Sequence, residues 1–86
     1  MENNLKFSPK VADLLLAIGQ KIRSERIRQG YTQEQLAERA GFHRTYIGQV
    51  ERGEQNLTFE SYNRFAVALG VGMYELMNNT FSDSYY

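Results

Sequence analysis

The chain has 86 residues, with no cysteine, a single histidine and a single proline, and ten basic side chains balance ten acidic ones. That length fits one small domain, near the size at which a single core is hard to stabilise. Without cysteine, neither disulfides nor a thiolate zinc site can help, and oligomerisation is the remaining common device. No apolar run approaches the ~20 residues of a membrane span, and the opening MENNLKFSPK lacks the apolar core of a signal peptide, so a cytoplasmic protein is expected.

Residues 1–7 show no pattern, and the segment 1–8 is expected to be flexible. Ser8-Pro9 then reads as a helix start, a capping hydroxyl before a proline whose missing N–H costs nothing at the first helical position. Val11, Leu14, Leu15, Ile18 and Ile22 recur at helical spacing, which predicts a first helix from Pro9 to Gln29, closed by Gly30. Gly19 is expected to loosen its middle, by roughly 1 kcal/mol relative to alanine. The apolar stretch before Lys21 has two possible docking places, the domain itself or another subunit.

The segment 32–53, TQEQLAERAGFHRTYIGQVERG, is the most informative. Thr32 and Gln35 have the spacing of a capping box, Leu36, Ala37 and Ala40 follow on one helical face, and Gly41 supplies a left-handed stop. A second short helix begins near His43 and ends at Gly53. On a wheel of about 100° per residue, Ile47 and Val50 share one side. Arg44, Thr45, Gly48, Gln49 and Arg52 share the other, a polar stripe rich in hydrogen-bond donors. Two helices, a tight glycine-containing turn and such a stripe form a helix-turn-helix. Gly48 in that stripe is either a tolerated poor helix former or a place where the backbone comes close to a partner.

After a polar loop at residues 54–57, Thr58 caps a fourth helix, FESYNRFAVALG, with Leu57 and Tyr62 spaced as a hydrophobic staple. Phe59, Tyr62, Phe65, Ala66 and Leu69 form its apolar face, and Gly70 ends it. MYELMNN makes a short fifth helix, so that the domain runs from residue 9 to 79. Residues 80–86 form an aromatic tail, either disordered or an added contact.

The spacing Thr32-Gln33-x-x-Leu36-Ala37-x-x-Ala40-Gly41, followed by Tyr46-Ile47-x-x-x-Glu51-Arg52-Gly53, resembles the Cro/phage-repressor class of bacterial regulators, also called the xenobiotic-response-element class. The resemblance runs from about Ile22 to about Met77. Within the class, Arg44-Thr45-Tyr46-Ile47, Glu51-Arg52-Gly53 and Asn56-Leu57-Thr58 look most like controller proteins of restriction–modification systems. The resemblance implies an all-α, compact five-helix, lambda-repressor-like domain that binds double-stranded DNA.

It also implies roles for residues. Arg44, Thr45 and Gln49 fall where such regulators touch base edges, and their chemistry suits the task. Arginine donates two bonds to guanine, glutamine pairs with adenine, and threonine offers a methyl to thymine. Gln33, at the start of the second helix, becomes a phosphate contact. Arg26 is implied to pair with Glu51, which the wheel independently places beside the buried Ile47 side. His43 is expected to be a cap-position or phosphate-contacting residue, since helix N-termini suit anions. Arg52, Gln55 and Asn56 lie where they could hold the DNA backbone, setting register without reading sequence. Tyr46 could bury its ring, send its hydroxyl to a phosphate, or do both.

The charge distribution is compatible with this reading. Residues 1–53 hold nine of the ten Lys and Arg against six acids, whereas residues 54–86 hold Arg64 against four acids. A molecule polarised in this way can present its basic end to phosphate. Its modest positive charge implies few phosphate contacts per subunit, hence a homodimer. Leu57, Phe59, Met73, Tyr74 and Met77 exceed what the last two helices need internally and are the expected subunit interface. No catalytic constellation, metal-ligand cluster or cofactor motif is present, so neither an enzyme nor a cofactor is expected. The competing readings are an antitoxin or phage-type repressor, and an interaction domain that has lost DNA binding. The persistence of donors at 44, 45 and 49 argues against the last.

Overall fold

The computed structural model describes residues 9–82, with side chains to Met77. The expectations for the first eight residues, including the Ser8 cap, and for the end of the tail (83–86) lie outside the described residues. Five helices follow one another: α1 Pro9–Arg28, α2 Gln33–Ala40, α3 Arg44–Glu51, α4 Phe59–Leu69 and α5 Met73–Ser82. The architecture is all-α and lambda-repressor-like. One boundary moves appreciably. Helix α5 continues through Thr80, Phe81 and Ser82, past the residue 79 at which the sequence placed its end. Neither glycine nor proline interrupts that stretch, and polarity alone does not stop a helix.

The helix ends follow from local chemistry. Thr32 Oγ1 accepts from the Gln35 N–H at 3.0 Å while the Thr32 N–H donates to Gln35 Oε1 at 2.9 Å, so the capping box is complete. Thr58 caps α4 through the Ser61 N–H. Gly41 takes φ +78°, a conformation that costs other L-residues, and lets its own N–H and that of Phe42 bond back to the Ala37 carbonyl.

The core lies where all five helices converge. Ile22, Leu36, Ile47, Val50, Phe65 and Leu76 are fully buried in it. Val11, at the outer end of the α1 apolar face, stays 41% exposed, and Phe59 at the start of α4 is 82% exposed, so both leave the core face on which the sequence placed them. A row of aromatic rings closes the α2–α3 turn: Phe42 stands 4.8 Å from Tyr46 and 4.9 Å from Phe65.

Polar side chains also join the helices, by capping carbonyls that a neighbouring helix leaves unpaired at its C-terminal end. Arg64 of α4 donates to the Ala40 carbonyl at 3.0 Å and to the Gly41 carbonyl, with its guanidinium 4.1 Å above the Phe42 ring. In return, Gln29 and Arg39 donate to the carbonyls of Leu69 and Ala68 at the end of α4. Gly19 has a role the sequence reading did not give it. It is buried, and an added Cβ would lie 2.1 Å from the Val50 carbonyl oxygen. Rather than loosening α1, the missing side chain lets α1 meet the end of α3 backbone to backbone.

Candidate nucleic-acid interface

Helix α3 starts at His43, whose Nδ1 accepts from the Thr45 N–H at 3.1 Å. The ring is therefore a cap, and its Nε2 is the nitrogen that carries a hydrogen in the neutral form. Arg44 and Thr45, in the first turn, are exposed, and Gln49, a turn later, is half-buried. Ile47 and Val50 lie on the opposite side in the core. The wheel's division of this helix thus holds, except at Gly48. That residue is buried: an added Cβ would lie 3.2 Å from Arg52 Nη1 and 3.8 Å from the Gln33 amide. Gly48 makes room for its own neighbours' side chains and does not form part of the outer stripe.

The far end of α3 is held by a polar cluster. Arg26 Nε donates to Glu51 Oε2 at 2.7 Å and Arg26 Nη2 to Oε1 at 3.1 Å, with both side chains buried, at 10% and 2% exposure. Arg26 also donates to the Tyr31 carbonyl at 2.8 Å. A bidentate pair with a third donor on a backbone carbonyl orients the two helices firmly, whatever its net stabilisation. Gln33 Nε2 donates to Glu51 Oε1 at 3.1 Å, which places the start of α2 beside α3. Arg23, which sequence reasoning did not single out, is 60% exposed with Nε 4.0 Å from the same Oε1. Its spacing of three residues from Arg26, one turn along one helical face, was the available signal.

Other site residues are engaged with one another. Arg52 pairs with Glu54, exposed in the loop after α3, through two bonds at 3.0 and 3.1 Å. Gln55 Nε2 donates to Gln49 Oε1 at 3.0 Å. Asn56 is exposed, while Tyr46 is half-buried with its ring against Phe42 and 6.3 Å from Phe65.

The basic half of the chain is therefore less available than its charge count suggests. Arg26 is buried on Glu51, Arg28 pairs with Glu25, Arg39 caps α4, and Arg52 faces Glu54. Beside α3, Arg23 and Arg44 are exposed. Of the expected interface set, Leu57, Phe59 and Met77 share an apolar groove of about 200 Å³ with Val11, Leu14 and Tyr62. Met73 packs on the core, and Tyr74 stands 80% exposed on α5 outside the groove lining.

A family described as Helix-turn-helix matches residues 22–76, a stretch that contains the residues around α3 from Arg23 to Asn56. The chain belongs to the helix-turn-helix family of DNA-binding regulators. This helix-turn-helix protein is 42% identical over 65 residues to Control protein C.SmaI of Serratia marcescens, covering 76% of this chain and 77% of that one. It is 36% identical over 69 residues to a Neisseria meningitidis hypothetical transcription factor, covering 80% of this chain but 65% of that protein's length. Among solved structures, it resembles the restriction–modification controller protein C.Esp1396I, in the form of a tetramer with its natural 35 base-pair operator. The TM-score is 0.71, with 33% identity, 78% of this chain covered and 92% of that one. Members of this family are regulators and not enzymes. No helix among the described residues is long and apolar enough to cross a membrane.

Proposed function

We propose that this chain is a cytoplasmic transcriptional regulator of the restriction–modification controller type, binding a pseudo-palindromic operator as a homodimer. One observation carries the reading: α3 turns Arg44, Thr45 and Gln49 to one side while its opposite side is seated in the core and its end is pinned by Arg26 and Glu51. Such a helix enters a major groove as a rigid body. Arg44 addresses a guanine, Thr45 a neighbouring base, and Gln49 a position one helical turn further along.

Arg23, Gln33, the His43 ring and Asn56 lie around α3 and serve the phosphates. Arg52 joins them by exchanging Glu54 for a phosphate. Tyr46 buries its ring, leaving its hydroxyl as its one possible phosphate contact. One subunit supplies few such contacts, and affinity at physiological salt scales with their number. Two copies meeting through the groove of Leu57, Phe59 and Met77, with Tyr74 and Met73 of α5 alongside, would set two recognition helices about 34–36 Å apart. The resemblance to control proteins named for restriction–modification systems supports the narrower assignment.

The test is selection of bound sequences from random duplex DNA, together with sedimentation of the free protein. The expected outcome is a two-fold symmetric consensus and a dimer that Met77→Lys dissociates, with parallel loss of binding. Arg44→Ala should relax one position in each half-site. A monomer that binds a single asymmetric half-site at full affinity would overturn the proposal.

A further inference from the structure

Arg52, at the end of α3, carries an anion of its own. Its Nε and Nη2 donate to the two carboxylate oxygens of Glu54, at 3.0 and 3.1 Å. A guanidinium offers a phosphate that same parallel pair of bonds, so the carboxylate occupies an edge that a phosphate would take. Both side chains are more than half exposed, which leaves the pair open to a phosphate from outside.

The surroundings of the pair are fixed on both sides. Arg52 Nη1 lies 3.2 Å from the point that a Cβ would take at Gly48, and the Gln33 amide lies 3.8 Å from it. The missing side chain thus leaves the guanidinium room to lie against α3, on the side where Gln33 also stands. In the loop, the Gly53 N–H donates to the Val50 carbonyl at 3.0 Å, and the Glu54 N–H donates to the Gln49 carbonyl at 2.8 Å. Gly53 lies at φ +74°, so close to α1 that a Cβ would be 2.8 Å from Leu16 Cα. The backbone that carries the carboxylate is therefore held in place. Less ordering is needed to form this pair than one between two mobile segments.

We propose that Glu54 is an internal stand-in for phosphate, an autoinhibitory contact that Arg52 must release before it grips DNA. The inference rests on the DNA-binding reading above, in which Arg52 exchanges Glu54 for a phosphate, and it gives Glu54 a function in that exchange. Binding then replaces one ion pair with another instead of creating a new one. It also leaves the released carboxylate beside phosphates that repel it. An exposed pair of this kind is worth a factor of about 1.4–5 in an equilibrium constant. Phosphates carry no sequence information, so the cost falls on every duplex alike. A single subunit, with few other phosphate contacts, is thereby kept from holding DNA alone.

A double-mutant cycle tests it with four proteins: wild type, Glu54→Gln, Arg52→Ala and the variant with both changes, each confirmed as folded by circular dichroism. Binding to the selected operator and to a duplex of random sequence is measured at low ionic strength, where exposed pairs are least screened. Glu54→Gln also removes a charge that repels DNA whether or not Arg52 is present, so the coupling between the two positions decides. Glu54→Gln should tighten binding to both duplexes and leave the selected consensus unaltered. In the Arg52→Ala background its gain should be smaller, by about 1.4–5-fold for each subunit bound. Equal gains in the two backgrounds would reduce Glu54 to a source of general repulsion and overturn the proposal. Weaker binding by Glu54→Gln, or a changed consensus, would overturn it too, by making Glu54 a support that aligns Arg52. Each of these results would leave DNA binding intact. If the wild type bound neither duplex, the DNA-binding reading itself would fall, and this inference with it.

Discussion

Replacing Gly19 with alanine sets two effects against each other. In a solvent-facing helix the change stabilises by roughly 0.5–1 kcal/mol, because glycine loses more conformational freedom on folding. Here the new methyl would sit 2.1 Å from the Val50 carbonyl oxygen and 3.1 Å from Cα and C of Glu51. Ordinary carbon–oxygen contacts are about 3.3 Å or longer, so the helices must part by about 1 Å at their closest point. All three atoms are backbone, and no side-chain rotation can relieve the contact. Overpacking of this kind costs about 1–3 kcal/mol, more where neither side yields. With the propensity gain deducted, a net loss of about 2 kcal/mol is expected, which lowers the unfolding midpoint of a domain this size by about 8–16 °C. Thermal unfolding followed by circular dichroism measures it, with Gln20→Ala on the exposed side of α1 as the control. The same displacement would disturb the Arg26–Glu51 pair, so operator affinity should fall as well. A midpoint that rose with Gly19→Ala would refute the close-contact account.

Three further outcomes are expected. Glu51→Gln removes the counter-charge from a guanidinium that is 10% exposed and turns an amide toward donors from Arg26 and Gln33. It should destabilise by about 3–5 kcal/mol in urea unfolding, against less than about 0.5 kcal/mol for Glu38→Gln on the exposed face of α2; equal shifts would count against the pair. Arg64→Ala should cost about 2 kcal/mol by uncapping Ala40 and Gly41, and Arg64→Lys should restore little, because an ammonium cannot span both carbonyls and lie flat on Phe42. The Arg28 guanidinium beside Glu25 holds its carboxyl below the ordinary value of 4.5. The pair's stabilisation is therefore full above that value and is lost as pH falls through the lower folded-state value. Arg28→Ala should flatten the acid limb of midpoint against pH, and an unaltered limb would count against it.

The parts of this molecule that are legible in the sequence are those decided within a few residues. Thr32 with Gln35, Thr58, Gly41 and Gly70 mark helix ends because their partners lie within one turn. Alternation at 3.6 residues placed Ile47 and Val50 inside and Arg44 and Thr45 outside. What lay beyond reach was decided by partners distant in the chain. A glycine's role depends on what would occupy its missing side chain, which at position 19 is backbone 31 residues on and at position 48 is Gln33 and Arg52. Likewise, Arg39 and Arg64 counted as charge in the sequence, yet each is used as a cap for a helix 24 or more residues away. The Arg26–Glu51 pair spans a comparable distance and was anticipated only because a resemblance to known regulators carried it.

The anchoring of α3 by Gly19, Arg26 and the core residues Ile47 and Val50 has a consequence for how such a protein can diverge. Arg44 and Thr45 contribute nothing to that anchoring: their side chains are exposed and the cap that starts the helix belongs to His43. Substitutions there fall among surface changes, which usually alter stability by no more than about 0.5 kcal/mol. On the proposed readout, a lineage or an engineer can therefore explore new target sequences at these two positions while the folded state remains as stable as before. At Gln49 the search is narrower, since its side chain is half-buried and bonded to Gln55.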